Sequence, residues 1–104
     1  MGRRFLIVGS GLFGSVCARE LTDAGHQCDV IEKRDHIGGN CYTKLHEEAG
    51  CHEHVYGPHI FHTNSPEIWR YVNRFAEFNH FTYRPRVNFR GRYFSFPLNL
   101  MTLY

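Results

Sequence analysis

Three features of the sequence predict an α/β fold. A continuously apolar run, Phe5-Leu6-Ile7-Val8, leads into Gly9-Ser10-Gly11-Leu12-Phe13-Gly14, and a second apolar run from Cys28 to Ile31 is closed by Glu32, eighteen residues after Gly14. A G-x-G-x-x-G pattern alone is weak. Placed between two runs of strand length, and opening a segment with helical spacing, it reads as the strand–helix–strand unit of a Rossmann-like dinucleotide-binding fold. Gly9 permits the tight turn off the first strand, Gly11 lets the backbone approach a pyrophosphate, and Gly14 lets helix and strand pack closely. The helix N-terminus would offer N–H groups and a partial positive charge to the phosphates. Glu32 would accept hydrogen bonds from an adenosine ribose and would repel a 2′-phosphate, which disfavours NADP. The competing reading is a glycine-rich turn without a ligand.

The first strand, Phe5 to Val8, is apolar without alternation and is expected to be buried on both faces. The helix after it is expected over about Leu12 to Ala24, with Val16, Cys17, Glu20 and Leu21 roughly a turn apart and Gly25 placed to stop it. Gln27 to Ile31 is the second strand, parallel to the first through a right-handed crossover. The polar loop from Lys33 to Asn40 carries a glycine doublet, Gly38-Gly39, which reads either as a close backbone approach to a long ligand or as an ordinary turn. Asn40 to Leu45 is a candidate short strand, and His46 to Gly50 a surface turn.

The stretch from Cys51 to Asn64 is dense in imidazoles. On a strand, His52 and His54 would share one face, with Cys51 or His59 completing a metal site; the other readings are a surface strand and turn, or a place for His59 and His62 beside a cofactor. No spacing matches a zinc signature, so no metal is assigned. Ser65-Pro66-Glu67 starts a helix, with Ser65 as N-cap and Pro66 in the first position. That helix is expected to reach about Phe78, with Ile68, Tyr71, Val72, Phe75 and Phe78 as its apolar stripe and Trp69 beside it. Phe81 to Phe89 and Arg92 to Phe96 read as strands around a hairpin turn at Asn88-Phe89-Arg90-Gly91. Pro97 ends the second of them, and Asn99 looks like the cap of a helix starting at Leu100. No third parallel strand follows, so the βαβ unit should carry exposed edges that favour self-association.

At 104 residues the chain is one domain or less and would bury roughly two-thirds of its unfolded surface. Its net charge of +2 is spread without a basic block, which points away from nucleic acid or an anionic membrane as partner. The four cysteines form no C-x-x-C pair and read as reduced thiols. With no signal-like segment and no run of membrane-spanning length, a cytoplasmic location is expected.

The glycine fingerprint, Glu32-Lys33-Arg34 through Ile37-Gly38-Gly39-Asn40, Tyr56-Gly57-Pro58-His59-Ile60-Phe61-His62-Thr63, Trp69-Arg70-Tyr71-Val72 and Phe96-Pro97-Leu98-Asn99-Leu100 together resemble the N-terminal part of bacterial UDP-galactopyranose mutases. The first two are common to many FAD enzymes, whereas the Gly-Pro-His-Ile-Phe-His-Thr block is particular to this family. The resemblance implies FAD, active when reduced, with flavin N5 as nucleophile on the anomeric carbon of UDP-galactopyranose. It also implies interconversion with the furanose and a homodimeric parent enzyme. It assigns Phe13 and Gly14 to the pyrophosphate through their backbone, with Gly9 and Gly11 shaping that turn. Glu32 and Lys33 go to the adenosine end, Asn40, His59 and Ile60 to the flavin half, with His59 tuning the flavin, and Tyr83 to a uridine-side contact; Gly39 is expected among the cofactor-binding residues. No protein nucleophile is recognisable, which suits a nucleophile carried by a cofactor. Family members are several times longer, and their diphosphate-binding arginines would lie beyond Tyr104. Residues 1–104 are therefore expected to be the N-terminal part of an FAD-binding domain, inactive alone. Two other classes remain open: an amine-oxidase-like FAD oxidoreductase, and a non-catalytic nucleotide-binding fragment.

Overall fold

The computed structural model describes residues 2–97 and 99–103, in two compact units, Met1–His59 and Ile60–Tyr104, each taken here by itself. In the first, β1 (Arg4–Val8), α1 (Leu12–Asp23) and β2 (Gln27–Ile31) form the expected βαβ unit. The strands are parallel, with Arg4 opposite Gln27 and Val8 opposite Ile31. The helix stops where the glycine allows it: Ala24 N–H returns to Glu20, His26 N–H to Leu21, and Gly25 sits at φ +82°, a left-handed turn that glycine makes without steric cost. Gly14 is buried, and a methyl group there would strike the Gly9 carbonyl oxygen and lie 3.3 Å from Ile7 Cγ2. The absent side chain thus sets the distance between helix and strand.

Cover on the sheet is one-sided, contrary to the expectation for the first strand. Phe5 and Ile7 are half-buried, while Leu6 and Val8 are 65% and 79% exposed. One helix can lie on one face of a two-stranded sheet, and the other face needs a further layer. Among the described residues no apolar side chain is fully buried, and only Ser10 and Gly14 are.

The doublet Gly38-Gly39 turns the chain at φ +92° and +58° into a 3-10 turn, Gly39–Cys41. The strand expected from Asn40 therefore starts later, as β3 (Thr43–His46), and pairs antiparallel with β4 (Cys51–His54). This hairpin is largely exposed.

In the second unit α2 (Pro66–Val72) begins as its sequence predicts, with Ser65 Oγ accepting the Ile68 N–H at 3.3 Å. It ends well short of Phe78. Asn73 Nδ2 donates to the Trp69 carbonyl at 2.7 Å, and the next amides reach back only three residues, Arg74 to Tyr71 and Phe75 to Val72. A side chain that competes for the helix's own carbonyls, followed by tighter turns, closes the helix. Trp69 does not merely flank the packed face. It joins Phe61 and Phe78 in a cluster with ring centroids 5.4–6.2 Å apart, while Phe75 of the expected stripe is 54% exposed.

Strand β5 (Arg86–Phe89) pairs with β6 (Arg92–Ser95). It starts after Pro85 and not at Phe81, since proline has no N–H for a ladder. Arg90 and Gly91 make a two-residue turn with φ +51° and +79°, closed by Gly91 N–H on Asn88 Oδ1 at 3.1 Å. Helix α3 (Leu100–Leu103) starts where expected, and Thr102 Oγ1 donates to the Ser95 carbonyl of β6.

The Gly14 contact is directly testable. Gly14→Ala should lower the stability of the first unit by roughly 1–3 kcal/mol through overpacking, read as a lower urea midpoint in circular dichroism. An unchanged midpoint would contradict the close approach of α1 to the Gly9 turn.

Candidate functional site

The residues between β1 and α1 are held by hydrogen bonds to the end of β2. Gly9, at φ +97°, donates its N–H to the Ile31 carbonyl at 2.7 Å. Ser10 is only 5% exposed; its N–H and its hydroxyl both donate to Glu32 Oε2, at 2.7 and 2.8 Å. Glu32 Oε1 accepts the Arg34 N–H at 3.0 Å. The Arg34 amide, then the Ser10 amide and hydroxyl, hold the Glu32 carboxyl at a pKa of about 2, well below its ordinary 4.5, because each donor favours the ionised form. A carboxylate has about four acceptor positions, so Oε1 keeps room for a ribose hydroxyl. Sequence reasoning placed Glu32 at the ribose and missed Ser10. The available signal was a hydroxyl residue at the one variable position between Gly9 and Gly11.

The glycine doublet closes on the same turn. Gly38 N–H donates to the Ser10 carbonyl at 3.0 Å, and a Cβ on Gly39 would stand 2.9 Å from Gly11 Cα. The doublet, which the sequence leaves open between an approach to a ligand and an ordinary turn, makes a close backbone approach to the fingerprint itself. Gly11 is the N-cap of α1 with no side-chain cap, and the first turn carries no acid. The N–H groups of Leu12, Phe13 and Gly14 are without helical partners by construction of any helix start, so a diphosphate fits this end. Phe13 is 85% exposed, leaving its backbone as the part that addresses the turn.

Asn40 sits in this network. Arg34 Nη2 donates to Asn40 Oδ1 at 3.0 Å, and the Arg34 guanidinium lies 4.2 Å from the Tyr56 ring centroid. The Tyr56 hydroxyl is 2.7 Å from His36 Nε2, and the His36 ring stacks on Tyr42 at 3.8 Å. Lys33 is exposed between Glu32 and Arg34.

His59 is half-buried, with Nδ1 3.2 Å from the Gly57 carbonyl. A carbonyl only accepts, so in the neutral ring this bond requires the proton on Nδ1 and leaves Nε2 as the acceptor. Among the described residues no three His, Cys, Asp or Glu side chains gather as metal ligands, and the four cysteines are unpaired. Ile60 and Tyr83 belong to the second unit, 48% and 46% exposed there. No helix among the described residues is long and apolar enough to cross a membrane.

Residues 7–75 match the family described as NAD(P)-binding Rossmann-like domain. The chain belongs to that family. This Rossmann-like chain is 43% identical over 100 residues to a dTDP-fucopyranose mutase of Escherichia coli, covering 96% of the chain and 26% of that protein. It is also 43% identical over 101 residues to a probable UDP-galactopyranose mutase of Klebsiella pneumoniae, covering 97% and 26%. The resemblance read from the motifs therefore extends over nearly all of the chain, which spans about a quarter of the length of these relatives. A flavin-dependent L-tryptophan oxidase of Lentzea aerocolonigenes matches over 48 residues at 35% identity, 46% of the chain and 10% of that protein.

The state of Glu32 gives a pH prediction. Because its folded pKa is depressed, the clamp's contribution to stability is complete above pH 4.5 and is lost as pH falls towards about 2. A carboxyl ¹³C titration should show Glu32 with a midpoint near about 2, and Ser10→Ala should move it upward. A midpoint at the ordinary value in the unsubstituted chain would mean that the three donors do not reach the carboxylate.

Proposed function

We propose that this chain is the N-terminal part, residues 1–104, of the FAD-binding domain of a mutase that interconverts the pyranose and furanose forms of a nucleotide-diphosphate sugar. The observation that carries the reading is the reach of the likeness. Two sugar-nucleotide mutases match along almost the whole chain, histidine block included, whereas the oxidase match stops at less than half of it. UDP-galactose is the first substrate to test, and dTDP-fucose is a second reading that the equal identity of the two mutases favours.

Reduced FAD would supply the nucleophile, N5, for the anomeric carbon. The chain's own residues bind and orient. The Phe13 and Gly14 amides at the start of α1 address the diphosphate, in the turn shaped by Gly9 and Gly11. Glu32 and Lys33 address the adenosine end, with the ionised Glu32 set against a 2′-phosphate. Asn40, His59 and Ile60 are assigned to the flavin half, Gly39 to the cofactor site through its backbone, and Tyr83 to the uridine side. His59, protonated at Nδ1, offers Nε2 as an acceptor and would tune the flavin. The enzyme is read as a cytoplasmic homodimer. The uncovered Leu6 and Val8 support a larger domain around this one, and self-association of the isolated residues, which are not expected to turn over substrate alone.

Two substitutions in the full-length protein test this. Glu32→Ala should weaken FAD binding roughly tenfold or more, through loss of a charge-assisted bond to the ribose and release of Ser10; unchanged flavin affinity would remove Glu32 from the site. His59→Ala should leave most of the FAD bound and lower pyranose–furanose turnover about a hundredfold, the scale of a misplaced reacting group. Assays with UDP-galactopyranose and dTDP-fucopyranose side by side identify the substrate. Amino-acid oxidation without turnover of either sugar would replace the mutase reading with the oxidase one.

A further inference from the structure

His54 has no part in the roles assigned above, yet the turn that carries His59 is bonded to it. In Gly57-Pro58-His59 the proline has no N–H, which leaves two amide donors, and both go to His54. Gly57 N–H donates to the His54 carbonyl at 3.2 Å, and His59 N–H donates to His54 Nδ1 at 3.1 Å. The two imidazole rings stack at 4.1 Å with 27° between their planes. His54 itself is the last residue of β4, opposite Thr43 in the hairpin, so its backbone is fixed by the ladder and not by the turn it holds.

We propose that His54 is the positioning residue for His59: its Nδ1 and its ring fix the turn so that His59 keeps Nδ1–H on the Gly57 carbonyl and Nε2 as the open acceptor. The bond requires a lone pair on His54 Nδ1, so the His54 proton sits on Nε2. Two neighbouring imidazoles thereby carry opposite tautomers, each set by a backbone group, the His59 N–H for His54 and the Gly57 carbonyl for His59. The inference rests on the proposed role of His59 for its relevance to the cofactor, and on geometry alone for the tautomers.

The experiment is long-range ¹H–¹⁵N correlation of the imidazoles in the ¹⁵N-labelled 104-residue chain, at a pH where they are neutral. His59 should be protonated at Nδ1 and His54 at Nε2. H54N places an amide oxygen where Nδ1 stood and should preserve the His59 tautomer. H54F keeps a flat ring without an acceptor and should shift His59 to the Nε2–H form favoured by a free side chain. Cross-strand amide contacts between Thr43 and residue 54 report the hairpin, and if H54F loses them H54L takes its place. His59 on Nε2 in the unsubstituted chain, Nδ1–H retained without an acceptor at position 54, or equal loss in H54N overturns the proposal. Turnover of the same variants in the full-length protein separates the two claims. Tautomers that behave as stated, with pyranose–furanose turnover the same in H54F as in the unsubstituted enzyme, would sink the placement of His59 at the cofactor and leave the positioning intact.

Discussion

The first unit depends on one carboxylate. Glu32 stands at the end of β2 and takes donors from Ser10, in the turn between β1 and α1, and from Arg34, in the loop beyond. Ser10 then accepts the Gly38 N–H with its carbonyl, which brings Gly39 against Gly11. Strand end, fingerprint turn and glycine doublet meet at two residues. In a unit whose described apolar side chains are nowhere fully buried, this placement comes from charge-assisted hydrogen bonds and from glycines that let backbones touch, with less help from a core than a chain of this length would ordinarily have.

How far the sequence discloses this depends on the range of each interaction. The βαβ unit was legible because its signals are local: apolar runs, glycines at fixed offsets and Gly25 where a left-handed turn stops the helix. The start of α2 at Ser65 and the turn at Arg90-Gly91 were legible for the same reason. What failed needed a partner distant in sequence or a competing side chain. The contact of Gly39 with Gly11 was not legible, since the doublet reads equally as an approach to a ligand or as a turn until the loop is folded back. The early end of α2 turns on one Asn73 amide at the Trp69 carbonyl, and an apolar stripe that continues past it suggests more helix than the hydrogen bonds support.

The first strand shows a different limit. Its four apolar residues say that cover on both faces would be favourable; they do not say that these residues supply it. Leu6 and Val8 remain exposed because α1 occupies one face only. Hydropathy records what a segment gains on burial, and architecture decides how much of that gain is realised.

Glu32 holds the turn, and the role proposed for it asks the same carboxylate to discriminate between dinucleotides. A carboxylate committed to holding backbone and hydroxyl donors would seem spent as a discriminator between dinucleotides. Yet the donors hold its pKa at about 2, so it is ionised at any pH at which the fold is expected to work. Full charge is what would repel a 2′-phosphate, and hydrogen bonds do not neutralise it; they keep it at a fixed point at the end of β2. A neutral side chain of the same shape could accept from Ser10 and from a ribose, but it would accept the phosphorylated ribose as well. The clamp, and the selectivity proposed for Glu32, would be consequences of the same ionised group.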